Sequence, residues 1–82
     1  MSVNQQRLSL YQPAVYQIRV LGHPGEPWSD WVGDLTVSAS GDENLPITEL
    51  TGCVDQAALL GLLRRFYSLG MPLISVVCLE VD

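Results

Sequence analysis

Side chains capable of chemistry are few in this sequence, and they lie far apart. His23 is the single histidine, and its place in a Gly-His-Pro loop would let it act as a general base or a ligand. Either role needs a second group, but no thiol or carboxylate stands at metal-ligand spacing from it. We therefore expect His23 to be an ordinary loop residue, and we predict no catalytic residue, no cofactor and no metal site.

Acidic side chains gather around the first three predicted strands. Paired carboxylates can do acid–base work or hold a cation, but these lack the dense spacing of a calcium-binding loop. We expect them to form a solvated surface, and we predict that the protein is not an enzyme. The residues concerned are Asp30, Asp34, Asp42, Glu43 and Glu49.

Trp28 and Trp31 are the most informative pair of side chains. Tryptophan is costly to expose and is enriched at binding hot spots. Three locations stay open for the pair: the open sheet face of its own subunit, a homodimer interface, or a small-ligand or peptide site. Ser29, between the two, has no base motif and is not a credible nucleophile.

A helix is predicted from Asp55 to Gly70, and it organises the rest of the chain. Asp55 has the acceptor and the charge of an N-cap, and Gly70 suits the left-handed residue after a helix. Pro72 cannot continue the helix. At about 100° per residue a core stripe appears, made of Leu59, Leu62, Leu63, Phe66 and Leu69.

The apolar arc of this helix is wider than packing on one sheet requires. Leu60 and Tyr67 lie together beside the stripe, either as tolerated surface residues or as contacts with another subunit. Gly61 weakens a helix by about 1 kcal/mol relative to Ala, which suggests close approach by a neighbouring backbone. Leu60 and Tyr67 therefore join Trp28 and Trp31 as candidate interface or ligand contacts.

Sequence segments typical of β-strands precede and follow the predicted helix. Short connections predict that the first three strands form an antiparallel meander. The last segment is almost continuously apolar, as in a strand buried on both faces. We place it centrally, beside the first strand, running in the same direction as the first and third strands. The segments are 14–21, 35–39, 47–54 and 73–81.

The predicted fold class is therefore α+β with the order βββαβ, a single helix packing on one face of a four-stranded sheet. Residues 1–13 are expected to form a flexible tail, and residues 14–82 a single domain. Pro46 and Gly52 favour an edge position or a bulge for the third strand. A chain of 82 residues is enough for one domain and buries a small core.

Charge excludes several classes of partner. The formal net charge is −5 and the sequence has no lysine. A nucleic-acid surface needs a basic footprint, which the Arg64–Arg65 pair does not supply, and a membrane surface is disfavoured for the same reason. No signal peptide or spanning segment is expected, so we predict a cytoplasmic protein. Cys53 and Cys78 are expected to be small buried residues, able to face each other if their strands are neighbours.

Several motifs resemble a family of short uncharacterised bacterial proteins. The shared features are a Trp-Ser-x-Trp segment at 28–31, an Asp-Gln-Ala-Ala-Leu helix start at 55–59 and a Leu-Gly-x-x-Leu-x-Ser-Val ending at 69–76. Val32 and Cys53 depart from that pattern, where an aromatic residue and a proline are usual. The resemblance implies no activity and no site residues.

Two functional hypotheses follow from these observations. The first is a non-enzymatic domain that self-associates, as a homodimer, and serves as a protein-interaction or accessory module; an unknown protein partner is also possible. The alternative is a ligand-binding regulatory module with a pocket near Trp28 and Trp31.

Overall fold

The computed structural model describes residues 9–23 and 35–81. Trp28 and Trp31 lie outside these residues, as does most of the predicted tail. The described elements are, in chain order, β1 (Ala14–Leu21), β2 (Thr36–Gly41), β3 (Pro46–Val54), α1 (Gln56–Ser68) and β4 (Leu73–Val81).

Local chemistry at both ends of α1 explains its limits. Asp55 is the N-cap, and its Oδ1 accepts a hydrogen bond of 2.8 Å from the backbone N–H of Ala58. At the other end Gly70 adopts φ +73°, a left-handed conformation that costs glycine little. The backbone N–H of Met71 then bonds the carbonyl of Phe66. Both predicted boundary signals are confirmed.

The buried side of α1 is the predicted one. Leu59, Leu62 and Phe66 are buried and Leu63 is half-buried. The prediction for Leu69 is wrong: it is 38% exposed, because the helix ends at Ser68 and Leu69 is its C-cap. The stripe packs on alternate residues of β1, whose buried positions are Ala14, Tyr16, Ile18 and Val20. The intervening β1 residues are less buried, so α1 covers one face of the sheet, as the α+β prediction requires.

The order of the strands corrects the predicted topology. The four strands are arranged β2-β3-β1-β4, and every neighbouring pair is antiparallel. The first three strands are not a meander, because β3 lies between β1 and β2. The last strand is not central: among the strands of residues 9–23 and 35–81, β4 pairs with β1 alone and forms an edge. It runs opposite to β1 and in the same direction as β3.

Connection lengths account for this difference. β2 and β3 are joined by a tight turn in which the Asp42 Oδ1 accepts from the N–H groups of Asn44 and Leu45. The segment between β1 and β2 is much longer, so pairing of these two strands is not enforced. The β3–α1–β4 unit then passes over β1, as in a split βαβ arrangement.

β3 is an interior strand without a register shift to either neighbour, so the predicted edge or bulge is wrong. Pro46 is tolerated because it is the first residue of the strand. Gly52 has a packing reason, since a Cβ there would collide with Leu35. No packing contact requires glycine at position 61 in the described part of the subunit, where a Cβ added to Gly61 would meet nothing within 4 Å.

Candidate functional site

The outer edge of the sheet at β4 carries unusually exposed apolar side chains. Leu73 is 53% exposed, Ile74 46%, Val77 43% and Leu79 51%. Within Leu73–Val81 the single charged residue is Glu80. An edge strand presents unpaired backbone N–H and C=O groups, and soluble proteins usually protect such edges with charge, proline or short length. β4 has nine residues and little of this protection, apart from two register shifts against β1.

The opposite edge differs in length and chemistry. β2 has six residues, Thr-Val-Ser-Ala-Ser-Gly, and its exposed side chains are small or polar. Short polar strands are a poor template for further pairing. The two edges of one sheet are therefore unequal, and apolar surface is concentrated at β4.

Leu60 and Tyr67 are exposed on α1, as the wide apolar arc suggested. Leu60 is 52% exposed and Tyr67 87%. α1 is followed in the chain by β4 and approaches it at a few residues. Both side chains are accessible for an intermolecular contact.

His23 takes part in a short chain of hydrogen bonds. Its Nδ1 lies 2.9 Å from the Thr48 Oγ1, and the same hydroxyl donates to the Gly22 carbonyl at 2.5 Å. A hydroxyl has one hydrogen, so Thr48 accepts from His23 and the Nδ1 must carry a proton. In the neutral imidazole the Nε2 is then an acceptor. Thr48 is 1% exposed, which holds this arrangement in place.

A hollow of about 470 Å³ opens beside His23, and a smaller one of about 260 Å³ shares His23 and Ala39 with it. Val37 and Thr48 line the smaller space, while Pro46, Asp42 and Glu43 line the larger. The carboxylate of Asp42 is fixed by its role in the β2–β3 turn. His23 therefore lines a hollow together with two carboxylates, and its role as an ordinary loop residue stays a prediction.

An ion pair lies on the sheet face opposite to α1. Arg19 and Glu49 are paired residues of β1 and β3, with 3.5 Å between the Arg19 Nε and the Glu49 Oε2. Both side chains are about one-third exposed, and such pairs contribute little to stability, at most about 1 kcal/mol. We assign this pair to orientation of neighbouring strands and not to a site.

The cysteines depart from the sequence prediction. Cys53 and Cys78 are both exposed, although we expected them to be buried. β1 separates their strands, and they pair with consecutive β1 residues, Val15 and Tyr16. Neighbouring residues on a strand point to opposite faces, so the two thiols do not face each other.

Within residues 9–23 and 35–81, no three metal-ligating side chains of histidine, cysteine, aspartate or glutamate come together. In that same part of the chain, no helix has the length and apolar character needed to cross a membrane. The tryptophan pair falls outside the described residues, so its role stays a prediction.

Sequence reasoning missed two features of these surfaces. It identified β4 as an apolar strand but placed it inside the sheet, so Val77 and Leu79 were not recognised as exposed. It also missed Thr48, which lies 25 positions from His23 and shows no local signal of contact.

Comparison with known families settles the kinship of the chain. Residues 15–77 match the family model described as Domain of unknown function (DUF8691). The chain belongs to the DUF8691 family. This match confirms the predicted kinship with an uncharacterised family, whereas the bacterial origin and the motifs stay predictions. Searches of curated proteins and of solved structures gave no match for this DUF8691 chain.

Proposed function

We propose that this DUF8691 domain self-associates as a homodimer through β4, and that it serves as a non-enzymatic interaction module of the cytoplasm. The supporting observation is the long edge strand with four apolar side chains about half exposed. Pairing of β4 with a second β4 would continue the sheet across the interface, as in strand addition.

A second copy suits this edge better than an arbitrary partner. Two antiparallel copies of one strand are related by a two-fold axis, so each apolar residue meets the apolar strand of its partner. Glu80 lies near the end of Leu73–Val81, so an antiparallel arrangement centred on the strand keeps the two carboxylates apart. The rest of the strand carries no charge that would oppose pairing.

The expected affinity is moderate. Fully burying a Leu, Ile or Val side chain contributes about 1.5–3 kcal/mol, so covering the exposed halves in both copies contributes roughly 6–12 kcal/mol. That corresponds to roughly 250–500 Å² of apolar surface, below the about 1,200 Å² of a standard interface. Association costs about 4–15 kcal/mol, and new backbone hydrogen bonds offset part of this cost. We therefore expect a reversible dimer of moderate affinity.

A pair of charge insertions on the two edges tests this proposal. Molar mass is measured by light scattering over a concentration series for the wild type, Val77→Lys and Ser38→Lys. Val77 is on β4, and Ser38 is an exposed residue of β2, so the same charge is placed at opposite edges. The wild type and Ser38→Lys should dimerise, whereas Val77→Lys should stay monomeric. A monomeric wild type at high micromolar concentration contradicts the proposal.

The same light-scattering experiment tests the contacts that were predicted from the sequence. Leu60→Ala and Trp31→Ala test the helix and the tryptophan segment as competing interfaces. If Leu60→Ala or Trp31→Ala is monomeric while Val77→Lys is still dimeric, the dimer interface does not lie at β4.

A further inference from the structure

We propose that the hollow beside His23 binds a small organic cation, a primary ammonium group attached to a short apolar chain. This site lies at the β2 side of the sheet, whereas the proposed dimer uses β4 at the other edge. The two proposals therefore stand or fall separately.

The acceptor at the centre of the site is the Nε2 of His23. Thr48 donates its one hydroxyl hydrogen to Gly22, and so it accepts from the Nδ1 of His23. The hydrogen bond to Thr48 selects the tautomer of a neutral His23 ring that carries its hydrogen on Nδ1, and in that tautomer the second nitrogen is available to a donor. Because Thr48 is almost completely buried, the ring is oriented before any ligand arrives, which lowers the entropic cost of binding.

Charge in the hollow favours a cation. Asp42 and Glu43 line it together with His23, and among residues 9–23 and 35–81 no arginine lines either of the two adjoining spaces. Hydrogen bonds from an ammonium group to a carboxylate are stronger than neutral ones. The net charge of −5 adds a weak long-range attraction for cations.

The walls favour an organic ligand over a bare metal ion. Ala39 and Pro46 give the hollow apolar surface beside its polar groups, and Val37 adds apolar surface in the smaller space next to it. Its volume of about 470 Å³ falls in the usual range for small-molecule sites, about 300–1,000 Å³. A chain of a few methylene groups can lie on these residues while its ammonium group meets the acceptors.

Titration with n-butylammonium chloride tests the proposal on the complete chain. Amide and imidazole resonances are followed by NMR, with n-butanol and sodium chloride as controls for the apolar chain and for ionic strength. We expect saturable shifts at His23 and at residues 37–48, with millimolar affinity. Neither control should reproduce them.

Two matched charge changes decide the outcome. Glu43→Gln should weaken n-butylammonium binding roughly fivefold, as loss of a partly exposed ion pair predicts. Glu80→Gln makes the same change on β4 and should leave the affinity unchanged. His23→Ala should weaken binding as well, with the β1 and β3 amide shifts serving as a check of the fold. Absence of saturable shifts up to 100 mM of the probe (roughly the limit for a weak ligand), or an equal loss in Glu43→Gln and Glu80→Gln, would overturn the proposal.

Discussion

Leu35 packs directly over Gly52, at a point where β3 has no room for a side chain. Leu35 is buried in the core, and a Cβ on Gly52 would collide with its side chain and approach its Cα to 3.2 Å. Gly52 faces Tyr16 across the β1–β3 ladder. This contact joins the residue that precedes β2 to the core formed by β1 and α1.

Gly52→Ala should therefore destabilise the protein. Overpacking of a core typically costs about 1–3 kcal/mol, and here the neighbouring atoms include backbone. Urea unfolding monitored by circular dichroism measures the loss. An unchanged unfolding midpoint would show that Leu35 does not occupy this position.

Asp55→Ala should lower the free energy of unfolding by about 1 kcal/mol, because it removes the side-chain acceptor of the first helical turn. Asp55→Asn retains an acceptor and serves as the control, with a smaller loss. The same urea titration distinguishes the two variants. Equal losses would mean that the charge of Asp55, and not its hydrogen bond to Ala58, stabilises α1.

Leu59 and Leu60 are adjacent in sequence and differ in burial, at 8% and 52% exposed. Leu59→Ala should cost about 2–5 kcal/mol, as for other buried leucines, whereas Leu60→Ala should change the stability of the monomer by less than about 0.5 kcal/mol. Thermal unfolding of both variants at low protein concentration makes the comparison. The reverse ranking would mean that α1 faces the sheet with its other side.

Gly61→Ala should stabilise α1 by about 1 kcal/mol, because alanine is the better helix former and the added methyl group meets no atom of residues 9–23 and 35–81. Dimer formation through β4 should be unaffected. Unfolding midpoints and molar mass are measured on the same samples. A variant that fails to dimerise would place a partner backbone against Gly61, as the sequence alone suggested.

Features set by neighbouring residues were predictable from the sequence, and those set by chain topology were not. The cap at Asp55, the left-handed turn at Gly70 and the burial of Leu59 depend on local geometry, and all three predictions were correct. The place of β4 depends on which strand occupies the other side of β1, which a continuous apolar run does not specify. An apolar strand can be buried inside a sheet or can form an edge whose outer side is unpaired within the subunit.

In the candidate sites, too, features set by local periodicity were predictable and features set by strand pairing were not. Exposure of Leu60 and Tyr67 followed from helical periodicity. The contact between His23 and Thr48 joins residues that only the β1–β3 pairing brings together, so no local pattern indicated it. Likewise, cysteine is a common core residue, but Cys78 lies on the edge strand β4 and Cys53 pairs with Val15, on the sheet face that α1 does not cover. Neither position could be derived from local sequence.

The most direct test of the β4 interface is an isotope-filtered NOE experiment on an equal mixture of labelled and unlabelled chains. Self-association through β4 predicts intermolecular NOEs between backbone protons of residues 73–81, in the antiparallel pattern of a paired strand. Intermolecular NOEs confined to α1 or to other segments, or a complete lack of them at millimolar concentration, would contradict it.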